Sequence, residues 1–185
     1  KSINKLQKDD GSVIGNQNDI RAEIKDFYQE LYSSNEMESD FELDIQEETY
    51  HKLTNTNSAN LESSLTLEEI SLTLKNMKND RSPCSSGFTV NFCKVFWKDI
   101  SGFVLRAINY YLEHMYLSIT QKQGIIICIP KESKSKLLIT NWRPITLLNT
   151  VYKILSGSLA NRIKPYVQTL INKDQTGFIS GRFIG

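Results

Sequence analysis

A short apolar run between two polar loops constrains the fold of this chain more than any other segment. Ile125 to Ile129 comprises four isoleucines and one cysteine, and the run ends at Pro130. A run of this length, rich in β-branched residues and closed by proline, predicts a buried β-strand. The next apolar segment, Trp142–Leu147, is predicted to be extended and to pair with the first strand as a hairpin.

Each strand of the predicted hairpin has a cation beside it. Lys131 follows the first strand, and Arg143 precedes Pro144, which lacks a backbone N–H and biases Arg143 towards an extended conformation. Two cations on extended backbone suit a polyanion such as a triphosphate or a nucleic-acid backbone. Solvated charges at an ordinary strand end are the alternative, and Arg143 could also tie the hairpin to a carboxylate of the N-terminal helices.

The charge of the chain is distributed unevenly along its length. Residues 1–120 contain 12 Lys and Arg against 19 Asp and Glu, a balance of −7, whereas residues 121–185 contain 10 against 2, a balance of +8. The acidic, Asn-rich stretch up to about Asn60 predicts a linker with one short helix. Cations interleaved with aromatic residues in the C-terminal part favour a nucleic-acid-binding surface over charge that only keeps the protein soluble.

Other bulk properties narrow the class of protein. No apolar run approaches the roughly 20 residues that a membrane span needs, so no membrane partner is expected. The N-terminus lacks both the apolar core of a signal peptide and an initiator Met, which suggests a piece of a longer chain. Cys84, Cys93 and Cys128 have no zinc-like spacing, so reduced thiols and an intracellular location, nuclear or cytoplasmic, are expected.

Helical periodicity and capping signals predict most of the remaining elements. A capping box from Thr66 to Glu69 opens a helix that reaches about Lys78, and Asn18 or Asp19 is predicted to cap the first long helix. The other predicted elements are a hairpin turn at Asp9–Gly11, a loop at Asn79–Gly87, helices at Phe88–Trp97, Ile100–Tyr116 and Thr150–Lys164, and a short helix that begins at Pro165. The apolar stripe of the Ile100–Tyr116 helix is predicted to face the core.

Five sequence blocks follow one another at close spacing in the C-terminal part. They are Ser118–Lys131, Asn141–Asn149, Tyr152–Leu155, Leu159–Arg162 and Asp174–Ile184. Together they resemble the early reverse-transcriptase blocks of LINE-type (non-LTR) retrotransposon polyproteins, and looser similarity extends upstream through Leu65–Lys98. The resemblance implies an RNA-directed DNA polymerase that copies RNA from a nicked-DNA primer.

The resemblance also implies a fold and a division of the chain. The expected class is α+β, with a helical leader packed on the small fingers β-hairpin of a right-hand polymerase whose palm is incomplete. Residues 1–62 would be an acidic, helical leader from the upstream linker of the polyprotein. Residues 63–185 would be the fingers and the start of the palm.

Family roles carry over to six positions. Lys131 and Arg143 match basic fingers positions near the incoming nucleotide and the templating pair. The block that leads into the palm, where the template passes, contains Gln175, Gly177, Phe178 and Arg182. For Gln175 and Gly177 a tight turn is an alternative role, and a turn and a template contact can coexist.

The metal-binding aspartates of the family follow the Gln175–Phe178 block in two later motifs. They hold the two Mg²⁺ ions of the polymerase reaction, and this sequence stops before both. We therefore expect no catalytic residue and no metal ligand in this chain. The partners of the parent enzyme would be an RNA template, a DNA primer, dNTP, and the remaining palm and thumb of the same polyprotein.

Three positions depart from the family pattern. Cys84 stands where a glycine is usual, Ser86 where an aspartate could cap the next helix, and Gly157 where a lysine is common. A positive φ at Cys84 would cost on the order of 1 kcal/mol, and so would Gly157 in a helix. These departures keep two other functions open: a non-catalytic nucleic-acid-binding remnant of a decayed or host-captured element, and a structural helical interaction module.

Overall fold

The computed structural model describes residues 3–33, 52–79, 81–172, 174–177, 179 and 181–182. The chain divides into two compact units: unit 1 contains Lys1–Asp44 and Ile126–Thr146, and unit 2 contains Ile45–Ile125 and Leu147–Gly185. The elements are α+β, with helices and two two-stranded sheets among the described residues, and the fingers of a right-hand polymerase stay a prediction. The units combine parts of both predicted domains, and the domain boundary at residue 62 stays a prediction.

Unit 1 begins with a β-hairpin and a helix. Strands β1 (Leu6–Gln7) and β2 (Val13–Ile14) pair antiparallel across the predicted turn, where Gly11 has a φ of +84° that favours glycine. Helix α1 (Gln17–Leu31) follows. Its N-cap is Asn16, whose side chain accepts a hydrogen bond from the Asn18 N–H, so the prediction of a cap at Asn18 or Asp19 was wrong. Asn16 is the residue with the extended conformation that capping requires.

The second hairpin completes unit 1. Strands β3 (Ile125–Pro130) and β4 (Trp142–Leu147) pair with each other, with a 3₁₀ turn at Ile139–Asn141 before β4. Trp142 is buried together with residues of the N-terminal segment. The strand interval was predicted correctly and its burial was not, because Ile127 and Ile129 are 39% and 45% exposed. A hairpin of two strands covers one face on α1 and leaves the other open within the described structure.

Unit 2 is helical. Its elements are α2 (Asn55–Glu62), α3 (Leu67–Asn76), α4 (Val90–Val95), α5 (Trp97–His114), α6 (Ile119–Lys122) and α7 (Thr150–Leu170). The capping box at the start of α3 is confirmed, and α2 is the short helix expected near Asn60. The rest of the predicted acidic linker, residues 34–51, lies outside the described residues.

Helix α3 lies at the centre of unit 2 and packs against α4, α5 and α7. The core of the unit is a cluster of buried side chains: Leu65, Ile70, Leu74, Val90, Cys93, Ile108, Ile154 and Leu155. The stripe of α5 faces this core in part. Phe103 is 67% exposed beside the Arg106 guanidinium, and Met115 is 90% exposed because it caps the helix with a φ of 50°. For these two residues the prediction of a core position was wrong.

Helix α7 continues through Pro165 instead of ending near Lys164. The prediction of a second helix starting at Pro165 was therefore wrong. A proline in a helix removes one N–H and crowds the carbonyl four residues earlier, but it does not have to end the helix when the far end is held. Here the Arg182 guanidinium holds the far end of α7, because it donates hydrogen bonds to the carbonyls of Gln168 and Ile171.

Helices α3 and α7 approach closely at Gly157. A Cβ at this position would lie 2.9 Å from the Thr73 Cγ2 methyl group. The Thr73 hydroxyl is buried, and it hydrogen-bonds to the Glu69 carbonyl at 2.9 Å and to the Ser158 hydroxyl at 2.8 Å. The glycine thus has a packing role that offsets its low helix propensity.

None of the helices within the described ranges has the length and apolar character needed to cross a lipid bilayer.

Candidate nucleic-acid interface

The backbone of the β3–β4 hairpin places Lys131 and Arg143 on one face. The Lys131 N–H donates to the Asn141 carbonyl at 2.8 Å, which puts these two residues opposite each other at the loop end of the hairpin. Side chains alternate along a strand, so Arg143, two residues beyond Asn141, shares the face of Lys131. Diagonal neighbours of this kind are about 7–8 Å apart. This backbone spacing is shorter than one Debye length, and the separation of the two charged ends stays a prediction.

Neither cation is neutralised by a carboxylate of the described structure. The Lys131 Nζ donates to the Thr140 carbonyl at 2.8 Å, and Arg143 is exposed with no hydrogen-bond or ion-pair partner among the described residues. The alternative in which Arg143 ties the hairpin to a leader carboxylate is not seen in this part of the chain. The role of both residues in binding stays a prediction.

Apolar side chains occupy the rest of the same face. Antiparallel pairing that continues without a bulge from the Lys131–Asn141 bond places Ile129 opposite Arg143 and Ile127 opposite Ile145. All three isoleucines are exposed, at 39–45%. We call this surface, formed by Ile127, Ile129, Lys131, Arg143 and Ile145, the hairpin face. It offers two cations for phosphate oxygens beside an apolar strip that can contact the flat surface of a base or sugar.

The second predicted group lies in unit 2, after α7. The two Nη atoms of Arg182 donate to four carbonyls: Gln168 at 2.8 Å, Ile171 at 2.9 Å, Asn172 at 2.5 Å and Gln175 at 2.9 Å. The Gln168 carbonyl belongs to the last turn of α7, and the other three carbonyls belong to residues that follow the helix, so Arg182 ties this segment to the helix end. In this structure Arg182 is a helix-terminating clamp, and its predicted contact with the template is not tested.

Gln175 and Gly177 form a turn beside this clamp. The Gln175 Nε2 donates to the Gly177 carbonyl at 3.4 Å. Gly177 does not have a left-handed φ, whereas the nearby Gly181 has a φ of +79°. Backbone freedom is therefore needed at Gly181 and not at Gly177. Phe178, the remaining predicted contact, lies outside the described residues.

Arg162 has a structural role that the sequence did not predict. Its side chain, 10% exposed, pairs with both carboxylate oxygens of Glu69, and it donates to the carbonyls of Ser63 at 2.5 Å and Ser64 at 2.7 Å. The hydrogen bond from Arg162 lowers the pKa of Glu69, and the same contact raises the pKa of Arg162. Glu69 is also the last residue of the capping box, which was the one available signal that this carboxylate is held in place.

The loop before α4 contains Cys84 and Ser86, and the Ser86 hydroxyl is buried without a hydrogen-bond partner among the described residues. Cys84 is buried without a positive φ, so the backbone strain considered for it is absent. Burial opposes ionisation of its thiol, but hydrogen bonds from Ser85 lower the pKa of Cys84. Thr89, and not residue 86, caps α4 by accepting from the Phe92 N–H at 3.1 Å. The loss of an aspartate at position 86 therefore leaves this helix capped.

Comparison with known proteins points to a mobile genetic element. The chain is 29% identical, over 187 aligned residues that cover all of it, to the "Transposon TX1 uncharacterized 149 kDa protein" of Xenopus laevis. The aligned part is 14% of that protein, so the chain spans about one seventh of its length. No protein-family model matches the chain. The similarity supports an origin in a transposon-encoded protein.

The described residues do not fit the metal centre of a polymerase. No group of three or more His, Cys, Asp or Glu side chains among them is placed to hold a metal ion. The three cysteines are free: Cys84 and Cys93 are buried, and Cys128 is partly buried. We derive no catalytic step through Mg²⁺ from this part of the chain.

Proposed function

We propose that this chain is part of the RNA-directed DNA polymerase of a LINE-type (non-LTR) retrotransposon and forms its fingers and the entry to its palm. Three observations support the proposal. The reverse-transcriptase-like blocks run in order from residue 118 to residue 184, the similarity to a transposon-encoded protein covers the whole chain, and the hairpin face presents two cations that no described carboxylate neutralises. The hairpin face is the observation that carries the proposal.

The chemistry of the hairpin face fits the phosphates of a template strand or of an incoming dNTP. The planar guanidinium of Arg143 can donate two parallel hydrogen bonds to phosphate oxygens, while the Lys131 ammonium acts as a compact charge. Pro144 fixes the backbone beside Arg143, which reduces the entropy lost on binding. The catalytic aspartates, with the Mg²⁺ ions that they hold in the family, would come from other parts of the parent polyprotein, as would the rest of the palm and the thumb.

A non-catalytic nucleic-acid-binding remnant is the second candidate. The substitutions at positions 84, 86 and 157 favour it, because each departs from the family pattern. Cys84 has no backbone strain and Gly157 has a packing role, whereas the Ser86 hydroxyl is buried without a partner among the described residues, so the three positions do not by themselves separate a decayed copy from a diverged active one. Both candidates share the same binding surface.

A titration of labelled single-stranded RNA tests the hairpin face. We expect salt-dependent, sequence-independent binding by the unmodified chain, and the double variant Lys131→Ala/Arg143→Ala should lower the salt slope by about 1.4, since each phosphate contact on a single strand contributes about 0.7. The matched control Lys75→Ala/Lys98→Ala removes two exposed lysines from helices of unit 2. Equal slopes for the two double variants would contradict the proposed role of the hairpin face.

A further inference from the structure

Unit 1 also contains a groove whose lining shares one residue, Ile127, with the hairpin face. It has a volume of about 640 Å³ and runs between α1 and strand β3. Cys128 of β3 points to α1, where its thiol donates to the Tyr28 hydroxyl at 3.8 Å. Because side chains alternate along a strand, Cys128 is on the face opposite to Ile129 and Lys131. We call this the α1 groove; Arg21, Lys25, Tyr28 and Tyr32 contribute to its lining.

Helix α1 separates its charges between two sides. Among the described residues, the lining of the α1 groove contains Arg21 and Lys25 and no carboxylate. The groove on the other side of the helix is lined by Asp9, Glu23, Asp26 and Glu30, with no Lys or Arg from the described part of the chain. Solubility alone does not require that the positive and negative charges of α1 lie on different sides. The electrostatic field of the α1 groove therefore favours an anionic occupant.

The two cations of the groove are available to bind an anion. Arg21 and Lys25 are exposed, and neither has a hydrogen-bond or ion-pair partner within the described part of the chain. They are four residues apart and so lie about 5–6 Å from each other on the same helix face. Two neighbouring phosphates of one strand could be contacted together.

An aromatic platform continues the same side of α1. The rings of Tyr28 and Tyr32 are stacked, with centroids 5.9 Å apart and planes at 15°. The Tyr28 ring is buried and orients the Tyr32 ring that stacks on it, whereas Tyr32 is 62% exposed. Burial, with the contact to Cys128, raises the pKa of Tyr28 to about 12, so this phenol adds no negative charge to the groove. An exposed ring of fixed orientation is a surface on which a base can stack.

We propose that the α1 groove is a second binding site for single-stranded nucleic acid, with Arg21 and Lys25 on the phosphates and Tyr32 stacked on a base. From Arg21 to Tyr32 the helix rises about 16 Å, which matches about five stacked nucleotides at 3.4 Å each. The site extends the proposed function, because it would hold strand outside the hairpin face. Its apolar walls could also receive an acidic amphipathic peptide, but the exposed tyrosine and the paired cations favour a nucleic acid.

Anisotropy of fluorescein-labelled oligo(U) of 12 nucleotides, measured at several salt concentrations, tests the α1 groove. Tyr32→Leu removes the stacking surface and should weaken binding about 5-fold or more, whereas Tyr32→Phe keeps the ring and should bind as the unmodified chain does. Arg21→Ala/Lys25→Ala should lower the salt slope by about 1.4, and the control Lys75→Ala/Lys98→Ala should leave it unchanged.

Cross-linking of the unmodified chain gives an answer that does not depend on the folding of any variant. Oligo(U) containing 4-thiouridine should attach to the peptide that contains Tyr32 after irradiation. If cross-links avoid α1 and Tyr32→Leu keeps full affinity, the α1 groove is not a nucleic-acid site, and an acidic protein segment becomes its better occupant. A loss of binding in Lys131→Ala/Arg143→Ala with no effect of the groove variants would leave the proposed function standing and overturn this inference alone.

Discussion

At the scale of single residues, the two best-held arginines of unit 2 are bound to the protein itself. Arg162 joins α7 to Glu69 and to the chain between α2 and α3, and Arg182 closes the end of α7. Arg143 of unit 1 has no such partner among the described residues. The sequence alone does not distinguish these arginines, because their partners are backbone carbonyls or carboxylates far away in the chain. Only the structure shows which of these arginines has protein partners and which has none among the described residues.

Substitution of Arg162 should destabilise the protein. Arg162→Lys keeps the charge but removes the fork that pairs with both oxygens of the part-buried Glu69 carboxylate. We expect the free energy of unfolding in urea to fall by about 1–2 kcal/mol. Arg106→Lys, at an exposed position, should change it by less than about 0.5 kcal/mol. Equal stability of the two variants would show that the Arg162 contact contributes little.

The same pair should make stability depend on pH. Because the Arg162 hydrogen bond lowers the pKa of Glu69 from its usual 4.5, its contribution is fully present above that value and is lost as the pH falls through the lowered pKa of the folded state. Urea unfolding at pH 7 and at about pH 3 should therefore differ less for Glu69→Gln than for the unmodified chain. An identical acid dependence in both would assign it to other carboxylates.

At the scale of elements, the sequence predicts boundaries better than environments. Strand β4, the capping box of α3 and the Gly11 turn follow from local signals, and all three are present. The burial of β3 was predicted wrongly, because a continuous apolar run reads the same whether one face of a strand is covered or both. Helix α7 continues past Pro165, and Arg182, which contacts its C-terminal end, lies seventeen residues after the proline, beyond the reach of any local pattern.

The close approach of α3 and α7 predicts that Gly157→Ala destabilises the protein, whereas helix propensity alone predicts the opposite. The higher helix propensity of alanine should make Gly157→Ala more stable by up to about 1 kcal/mol. Its Cβ, however, would meet the methyl group of Thr73, and this side chain is held in place because its hydroxyl is hydrogen-bonded to the Ser158 hydroxyl. We expect a net loss of about 1–2 kcal/mol in urea unfolding.

Thr73→Ser provides the matched background for this test. It deletes the methyl group and keeps the hydroxyl, so Gly157→Ala should be neutral or stabilising there, and the double-mutant cycle should show a coupling above about 1 kcal/mol. If Gly157→Ala has the same effect in both backgrounds, the contact with Thr73 does not explain the glycine.

At the scale of the whole molecule, binding and catalysis should separate. The five blocks and the basic C-terminal part predict a nucleic-acid-binding protein, and no other set of carboxylates in the sequence replaces the family's aspartates. The purified chain should therefore incorporate no dNTP on an RNA template with a DNA primer and Mg²⁺, although we expect it to bind the RNA. Incorporation that a chelator abolishes would contradict this prediction.

The reading frame beyond residue 185 tests the central claim most directly. Sequencing the transcript that encodes this chain should show an in-frame continuation with an aspartate block, followed by an aromatic-x-Asp-Asp block, because a reverse transcriptase needs both to hold its metal ions. A continuation of several hundred codons that contains neither block would contradict the assignment to a polymerase. A stop codon soon after residue 185 would contradict it as well, and the non-catalytic remnant would then be the better account.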